Sequence, residues 1–346
     1  MESRMSDKKV LIIGGGVAGL STAIELAKHD VKVILIEKEK TVGGHARQFT
    51  CKATDACVKC GACIVEEKID AAVSHPDITI YSGARLTEIG QQGQFAISFI
   101  NQDEEIQQCK VDAVVMATGF QPFDPINKPF GYKRFDDVIT NLDLEKRIRQ
   151  EGVVRRPSDG NIPGKIAFIQ CVGSRDSSLN HLWCSRVCCG SALRMANLIK
   201  SRKKSTEISF FYIDVQTFGK DFQYNYDLIK DQVRMIRAIP GDIFLTADQK
   251  LKLEYFLSSE GKQAEELFDL VVLSVGITPG GNADSIMEKI GLKPAEKEFL
   301  NEPSMISVPG VFAAGTAKGP GSIAESVADA GKVALDVLNY FQAQHN

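Results

Sequence analysis

The stretch KKVLIIGGGVAGLSTAIELAKHDVKVILIEKEKTVGG, residues 8–44, constrains the fold more than any other part of the chain. Val10–Ile13 reads as a buried strand, and Gly14, Gly16 and Gly19 supply G-x-G-x-x-G. Ala18–Lys28 reads as a helix with Leu20, Ala23, Ile24 and Ala27 on one face. Val31–Glu37 reads as a second strand, and it ends in an acid. Strand, glycine turn, helix, strand, acid is the full dinucleotide-binding fingerprint. Gly14 permits the tight turn, Gly16 lets the backbone approach a pyrophosphate, and Gly19 lets helix and strand pack closely. The helix N-terminus then faces the phosphates, and Glu37 can accept from ribose hydroxyls. The expected contact set is Gly14, Gly16, Val17, Ala18, Gly19, Glu37 and Lys38.

Three further stretches point to FAD rather than NAD. A second glycine pair, Gly43-Gly44, follows the acid and is followed by His45. VDAVVMATGF (111–120) is a strand running into Ala117-Thr118-Gly119. VPGVFAAGTAKGPGSIAESVADAGKVALDVL (308–338) is a strand, a glycine loop and a long helix starting near Ser322 and Ile323. In this order they resemble the flavoproteins with two dinucleotide-binding domains, the thioredoxin reductase and disulfide reductase class. In that class the last strand carries Gly-Asp at the ribityl phosphate, whereas this chain has Gly315-Thr316. The helix N-terminus near Ser322 is expected at the pyrimidine side of the flavin.

The same class inserts a second Rossmann unit into the first, and the sequence contains an internal echo. VDAVVMATGF is echoed by FDLVVLSVGI (268–277), and KKVLIIGGG (8–16) by GKIAFIQCV (164–172). Gly14 to Gly119 spans 105 residues and Gln170 to Gly276 spans 106. The expected architecture is α/β, with two Rossmann-like domains: 1–125 with 281–346, and an inserted domain at 126–280. Overlaying the repeats sets Gly14, Gly15 and Gly16 against Gln170, Cys171 and Val172, and Gly19 against Arg175. The second unit lacks the glycines that admit a pyrophosphate, so usual NAD(P)H binding is not expected there.

Nine cysteines is a high number for 346 residues. The N-terminal residues show no apolar export signal, so the cytosol is the expected compartment, where disulfides seldom persist. Clustered cysteines there read as metal, cluster or redox chemistry. They fall into two groups, Cys51, Cys57, Cys60, Cys63 and Cys171, Cys184, Cys188, Cys189; Cys109 stands alone and reads as structural. Cys171 falls at the C-terminal end of a strand, and Cys184 at the start of a helix running to about Lys203. A helix start stabilises thiolates. Spacing leaves three readings of this quartet open: a 4Fe–4S cluster, a structural zinc site, or a redox-active pair at 188–189.

The run IQCVGSRD…WCSRVCCGSALR closely resembles the A subunits of heterodisulfide reductase, as do FYIDVQTFGKDFQYNY and GVFAAGTAKGPGSIAESV, over residues 8–340 or so. The resemblance implies FAD, a 4Fe–4S cluster on Cys171, Cys184, Cys188 and Cys189, and electron transfer within a multi-subunit complex. The methanogen subunit is much longer, and this chain looks more like the short A-type subunit of the heterodisulfide reductase-like complexes of sulfur oxidisers. The family often carries Lys at the position of Arg194, a site placed near the flavin ring. Arg194 keeps the charge but cannot release a proton, which favours simple one- and two-electron transfer over bifurcation.

CKATDACVKCGACIVEEKI (51–69) carries C-x2-C-x2-C without the fourth, proline-linked cysteine of a ferredoxin run. A second cluster or metal, redox-active thiols, and no cofactor all remain open for it. Cys60 and Cys63 are expected nearest the flavin. The leading expectation is an FAD-dependent, iron–sulfur oxidoreductase, a cytoplasmic homodimer serving sulfur metabolism with partner subunits. The alternative is a self-contained NAD(P)H-dependent disulfide or persulfide reductase using Cys57, Cys60 and Cys63. A net charge of −3 without a basic stripe argues against nucleic acid, and no apolar run is long enough to span a membrane. His181, between the cluster cysteines, could approach the cluster or a partner.

Overall fold

The structure is a computed structural model that describes residues 5–216, 218–219, 222–280, 283–291, 299–300 and 308–344. It separates into two compact units. Unit 1 comprises residues 1–47, 61–121 and 278–346, and unit 2 comprises 48–60 and 122–277.

Unit 1 is built on a five-stranded parallel sheet. Its order is Val311–Ala313, Ala113–Met116, β1 (Lys9–Ile13), β2 (Lys32–Glu37), Ile78–Ser82. β1 and β2 are joined through α1 (Val17–Ala27). The strands are near-continuous apolar runs because both faces of a parallel sheet are covered. The period of two divides them between two cores. Val10 and Ile12 pack with α1 and the helix Ile323–Ala343. Leu11 and Ile13 pack with Phe95, Ile97 and Phe99 of an antiparallel three-stranded meander.

Unit 2 repeats this plan. Its parallel sheet runs Arg234–Ile236, Glu207–Phe211, β3 (Lys165–Val172), Leu270–Val275, Val138–Thr140. Ile166 and Phe168 of β3 face Ala192, Leu193 and Ala196 of α2 (Cys188–Arg202). Ala167 and Ile169 face a second meander through Leu253, Tyr255 and Phe268. The internal echo in the sequence is thus two copies of one layout, each with a helix on one face and a meander on the other.

The boundaries differ from the sequence expectation in three places, the first being the entry into unit 2 at Pro122 rather than at 126. The return to unit 1 falls at Thr278, and residue 281 is outside the described residues. Residues 48–60 cluster with unit 2 although the chain on either side belongs to unit 1. Side chains on helices of unit 2 explain the transfer. The Lys52 ammonium meets the Glu145 carboxylate at 2.6 Å, both side chains being 4% exposed. Thr50 N–H donates to the other Glu145 oxygen, and Arg149 donates to the Phe49 carbonyl. Breaking one side of a buried ion pair leaves an uncompensated charge. Lys52→Met is therefore expected to destabilise unit 2 by about 3 kcal/mol, with most of the loss recovered in Lys52→Met/Glu145→Leu. Urea unfolding of the three proteins checks this, and equal midpoints for wild type and the single variant would refute it.

Candidate cofactor and thiol sites

In unit 1 the glycine turn sits at the C-terminal ends of β1 and Ala113–Met116, where open parallel sheets place ligands. Gly14 has φ +110°, and a Cβ there would lie 2.3 Å from the Ala117 carbonyl oxygen. A Cβ at Gly19 would lie 1.9 Å from the Gly14 oxygen, so neither position accepts another residue. At Gly16, the N-cap of α1, the same atom would meet nothing within 4 Å. No side chain caps α1, so its first-turn N–H groups face that open space. Glu37 is buried at the end of β2; one oxygen accepts from Gly15 N–H at 2.7 Å and the other from Glu39 N–H at 2.9 Å. In this structure the acid therefore organises the turn itself.

The remaining residues expected around a dinucleotide converge on the same strand ends. Gly43 N–H donates to the Gly15 carbonyl at 2.7 Å, and Gly44 lies against Gly16. Val17 and Ala18 are buried in the first turn of α1, and Gly315 lies against Ala18. Gly119 lies against Thr316. His45 Nε2 is 3.1 Å from the Phe120 carbonyl oxygen, with the two rings 4.8 Å apart. Lys38 is exposed. Ser322 and Glu325 form a reciprocal capping box at the start of Ile323–Ala343, so the Ser322 hydroxyl is already engaged. The Thr118 hydroxyl is buried without a hydrogen-bond partner among the described residues, a polar atom that a bound group would satisfy.

One residue here escaped the sequence. Asp329 brings a carboxylate to the Gly315-Thr316 turn: it accepts from Gly315 N–H at 2.8 Å and pairs with Lys318 at 2.7 Å. Its only sequence signal is helical spacing, Ser322, Ser326 and Asp329 lying on one face.

In unit 2 the equivalent place is built from thiols. Cys171 is the penultimate residue of β3 and has φ +61°. Cys188 and Cys189 are the first two residues of α2 and are buried. Cys184 is not at the helix start, as the spacing suggested, but four residues earlier in the loop, where its sulfur accepts from Arg186 N–H at 3.3 Å. Nor does Arg175 occupy the place of Gly19. A loop over 173–187 separates β3 from α2, whereas three residues separate β1 from α1.

Burial and neighbouring thiols oppose the ionisation of Cys171, Cys188 and Cys189. Burial, then Cys189 and Cys184, push Cys171 up to about 11 against the opposing charge of Arg175. Cys188 is raised by burial and then by Cys189, Cys171 and Cys184. Cys189 is raised chiefly by burial, and the Gln216 N–H pulls the other way. Desolvation with mutual repulsion is what a bound cation relieves, so this donor set suits a thiolate-bound metal group. Among the described residues, no three or more His, Cys, Asp or Glu side chains are already gathered as around a metal ion.

The loop is held tightly. His181 Nδ1 is 2.8 Å from the Gly173 oxygen, and its ring lies between those of Phe123 and Trp183. Trp183 Nε1 donates to the Ile277 carbonyl, and the Ser185 hydroxyl accepts from Ile277 N–H, each at 2.8 Å. Lys128 pairs with Asp176, and Arg175 pairs with Asp214 through both guanidinium nitrogens. Cys171, Arg175, Asn180 and Arg186 all adopt left-handed φ without being glycine. Each such residue costs roughly 1–2 kcal/mol, which these anchors offset.

Of the first cysteine group, Cys51, Cys57 and Cys60 lie in unit 2 and Cys63 in unit 1, immediately before the helix Ile64–Val73. All four are free thiols. Arg194, expected near a flavin, donates through Nε to the Val58 carbonyl at 3.2 Å, tying α2 to the segment between Cys57 and Cys60.

Residues 8–156 match the family model described as pyridine nucleotide-disulphide oxidoreductase. The fold is thioredoxin reductase-like. The T. acidophilum enzyme aligns with a TM-score of 0.64 at 18% identity, covering 98% of this chain and 100% of that one. Lactococcus lactis thioredoxin reductase aligns with a TM-score of 0.64 at 16% identity, covering 97% and 99%. The chain is, more particularly, similar to A subunits of heterodisulfide reductase. It is 30% identical to an iron-sulfur A subunit of the CoB--CoM heterodisulfide reductase of Methanopyrus kandleri, over 92% of this chain and 62% of the relative. It is 29% identical to the A subunit of the H(2):CoB-CoM heterodisulfide,ferredoxin reductase of Methanothermobacter thermautotrophicus, over 94% and 62%. The chain thus spans about three fifths of the length of these relatives.

The loop anchors have a pH signature. The hydrogen bond from Lys128 holds Asp176 below the usual carboxylate range, and that from Arg175 does the same for Asp214. A depressed carboxylate stabilises the fold above its ordinary value, about 3.9, and ceases to as pH falls through the lowered value. Trp183, the single tryptophan, reports on the loop. Its emission is expected to hold steady from neutrality to about pH 4 and to shift red below that. In Asp214→Asn the red shift is expected already at neutral pH. An unchanged Asp214→Asn spectrum contradicts the role given to this pair.

Proposed function

We propose that this chain is an electron-transfer flavoprotein in which unit 1 binds FAD and unit 2 carries a 4Fe–4S cluster on Cys171, Cys184, Cys188 and Cys189. The observation that carries the proposal is the contrast between two equivalent helix N-termini. In unit 1, α1 begins at an uncapped glycine turn with open space beyond Gly16. In unit 2, α2 begins with Cys188-Cys189 beside Cys171. The names of the curated relatives, which include an iron-sulfur component, support the same reading.

Flavin supplies interchange between two-electron and one-electron transfer, and an iron–sulfur cluster supplies one-electron transfer. The protein's part is binding and placement. The first turn of α1 receives a pyrophosphate through its free N–H groups. Glu37 offers ribose hydroxyls the lone pairs that Gly15 and Glu39 leave, and Thr118 offers its unpartnered hydroxyl. The thiols of β3 and α2 release protons on ligation. The aromatic set Phe123, His181 and Trp183 covers the loop between them. The inserted domain on this reading is 122–277 with residues 48–60 added. By the same resemblance, the chain serves within a multi-subunit complex of the heterodisulfide reductase-like kind in cytoplasmic sulfur oxidation, and forms a homodimer. Arg194 contributes its fixed charge to flavin tuning. Among the described residues, no helix is long and apolar enough to cross a membrane.

Protein purified without oxygen is expected to carry one FAD and about four irons with matching acid-labile sulfide per chain. Zinc without iron defeats the cluster assignment. Micromolar NADH is expected to leave the flavin absorbance unchanged over minutes, because α2 opens on two buried cysteines rather than a glycine turn. Rapid bleaching would instead favour the self-contained NAD(P)H-dependent reductase.

A further inference from the structure

The strand that delivers Cys171 is irregular in one place. β3 pairs with Leu270–Val275 in register as far as Ile169 and Leu273, and pairing resumes at Val172 and Val275. Gln170 and Cys171 therefore oppose the single residue Ser274, which makes a β-bulge, and the left-handed φ of Cys171 belongs to it. Ile169, Val172, Leu273 and Val275 all pack on the meander side of the sheet. Gln170, Cys171 and Ser274 are left for the side covered by α2, where Ile166, Phe168, Leu270 and Val272 pack with Cys189.

The bulge sets an unusual polar pair among these residues. In unit 1 the residues after the paired Ile13 and Met116 are Gly14 and Ala117, with no room for a Cβ at Gly14. In unit 2 the same place holds Gln170, 3% exposed, and Ser274, fully buried. Gln170 Nε2 donates to Ser274 Oγ at 3.0 Å. Gln170 Oε1 is buried without a hydrogen-bond partner among the described residues. An orphaned buried acceptor costs roughly 1–3 kcal/mol, which an apolar side chain would avoid. Thiols border the pair on both strands. Cys171 follows Gln170, and Cys188 Sγ donates at 3.9 Å to the carbonyl of Val275, which follows Ser274.

A carboxamide can meet a hydroxyl through either end. Here the nitrogen donates and the oxygen is left bare. Turned over about its last bond, the oxygen accepts from the Ser274 hydroxyl and the amide N–H groups are freed. Thiolate sulfur takes hydrogen bonds and offers none, so charge on the quartet favours the second arrangement. We propose that Gln170 is a hydrogen-bond donor that tunes the iron–sulfur cluster of the quartet: loading turns the carboxamide over on Ser274 and an amide N–H goes to sulfur. This rests on the cluster reading given above. An N–H given to sulfur stabilises the reduced, more negative state, so it raises the reduction potential.

Redox titration of the anaerobic protein, loaded with FAD and iron and followed by EPR, tests the assignment. Gln170→Leu is expected to keep its iron and to lower the reduced-to-oxidised ratio of the cluster at fixed potential at least tenfold. For one electron that is a fall of about 59 mV. Ser274→Ala is expected to shift the same way; it keeps Gln170, and so decides the matter where Gln170→Leu fails to hold iron. A second readout is one that a merely structural pair does not move. With nitrogen-15 on the glutamine side chains, pulsed EPR of the reduced wild-type cluster is expected to show a weak nitrogen coupling that Gln170→Leu lacks. An unchanged potential in iron-loaded Gln170→Leu or in Ser274→Ala overturns the proposal, as does iron-loaded wild type without the coupling. Wild type without iron overturns it together with the cluster reading, so the two failures are told apart by the iron content.

Discussion

A helix that follows a parallel strand begins with N–H groups that have no partner inside the helix, and both units are organised around that fact. Unit 1 leaves them open: Gly16 contributes no side chain, Gly14 and Gly19 let α1 close on the strand, and Glu37 holds the turn from below. Unit 2 sets two buried cysteines there and brings a third from β3. One layout thus presents a cradle for an anion in one copy and a nest of thiols in the other. The loop that makes the second solution possible is held by ion pairs, a histidine between two aromatic rings and the Trp183 hydrogen bond, against four strained residues.

The anchoring of residues 48–60 gives the second unit another cysteine segment. The Lys52–Glu145 pair is buried nearly completely, and breaking it from one side would strand a buried charge, so it holds one arrangement. Here the arrangement is a cysteine-bearing strip laid on unit 2, with Arg194 as its second tie.

Much of unit 1 was legible because its determinants are local. Gly14, Gly16, Gly19 and Glu37 lie within one strand–helix–strand stretch, and each has a steric or hydrogen-bonding reason that spacing reveals. The duplication was legible because alternating apolar strands recur at a fixed interval. What escaped came from distant or irregular backbone. Asp329 reaches Gly315 from a later helix, and nothing near position 316 announces it. The overlay of repeats assumed equal turns, so it set Arg175 on Gly19 and started a helix at Cys184; an inserted loop has no periodicity to betray it. The assignment of 48–60 was hidden because its partners, Glu145, Arg149 and Arg194, lie roughly a hundred residues or more away.

The order of strands also has a consequence for synthesis. In unit 1 the neighbour of Ala113–Met116 is Val311–Ala313, and the helix packed with α1 is Ile323–Ala343. Every strand of unit 2 is made between them. As the chain emerges, unit 2 can close its sheet while unit 1 still lacks an edge strand and the cover of one face. Non-local closure of this kind is slow and leaves apolar surface waiting. The glycine turn is thus synthesised before every strand of the unit 2 sheet, and the sheet it belongs to is completed after them.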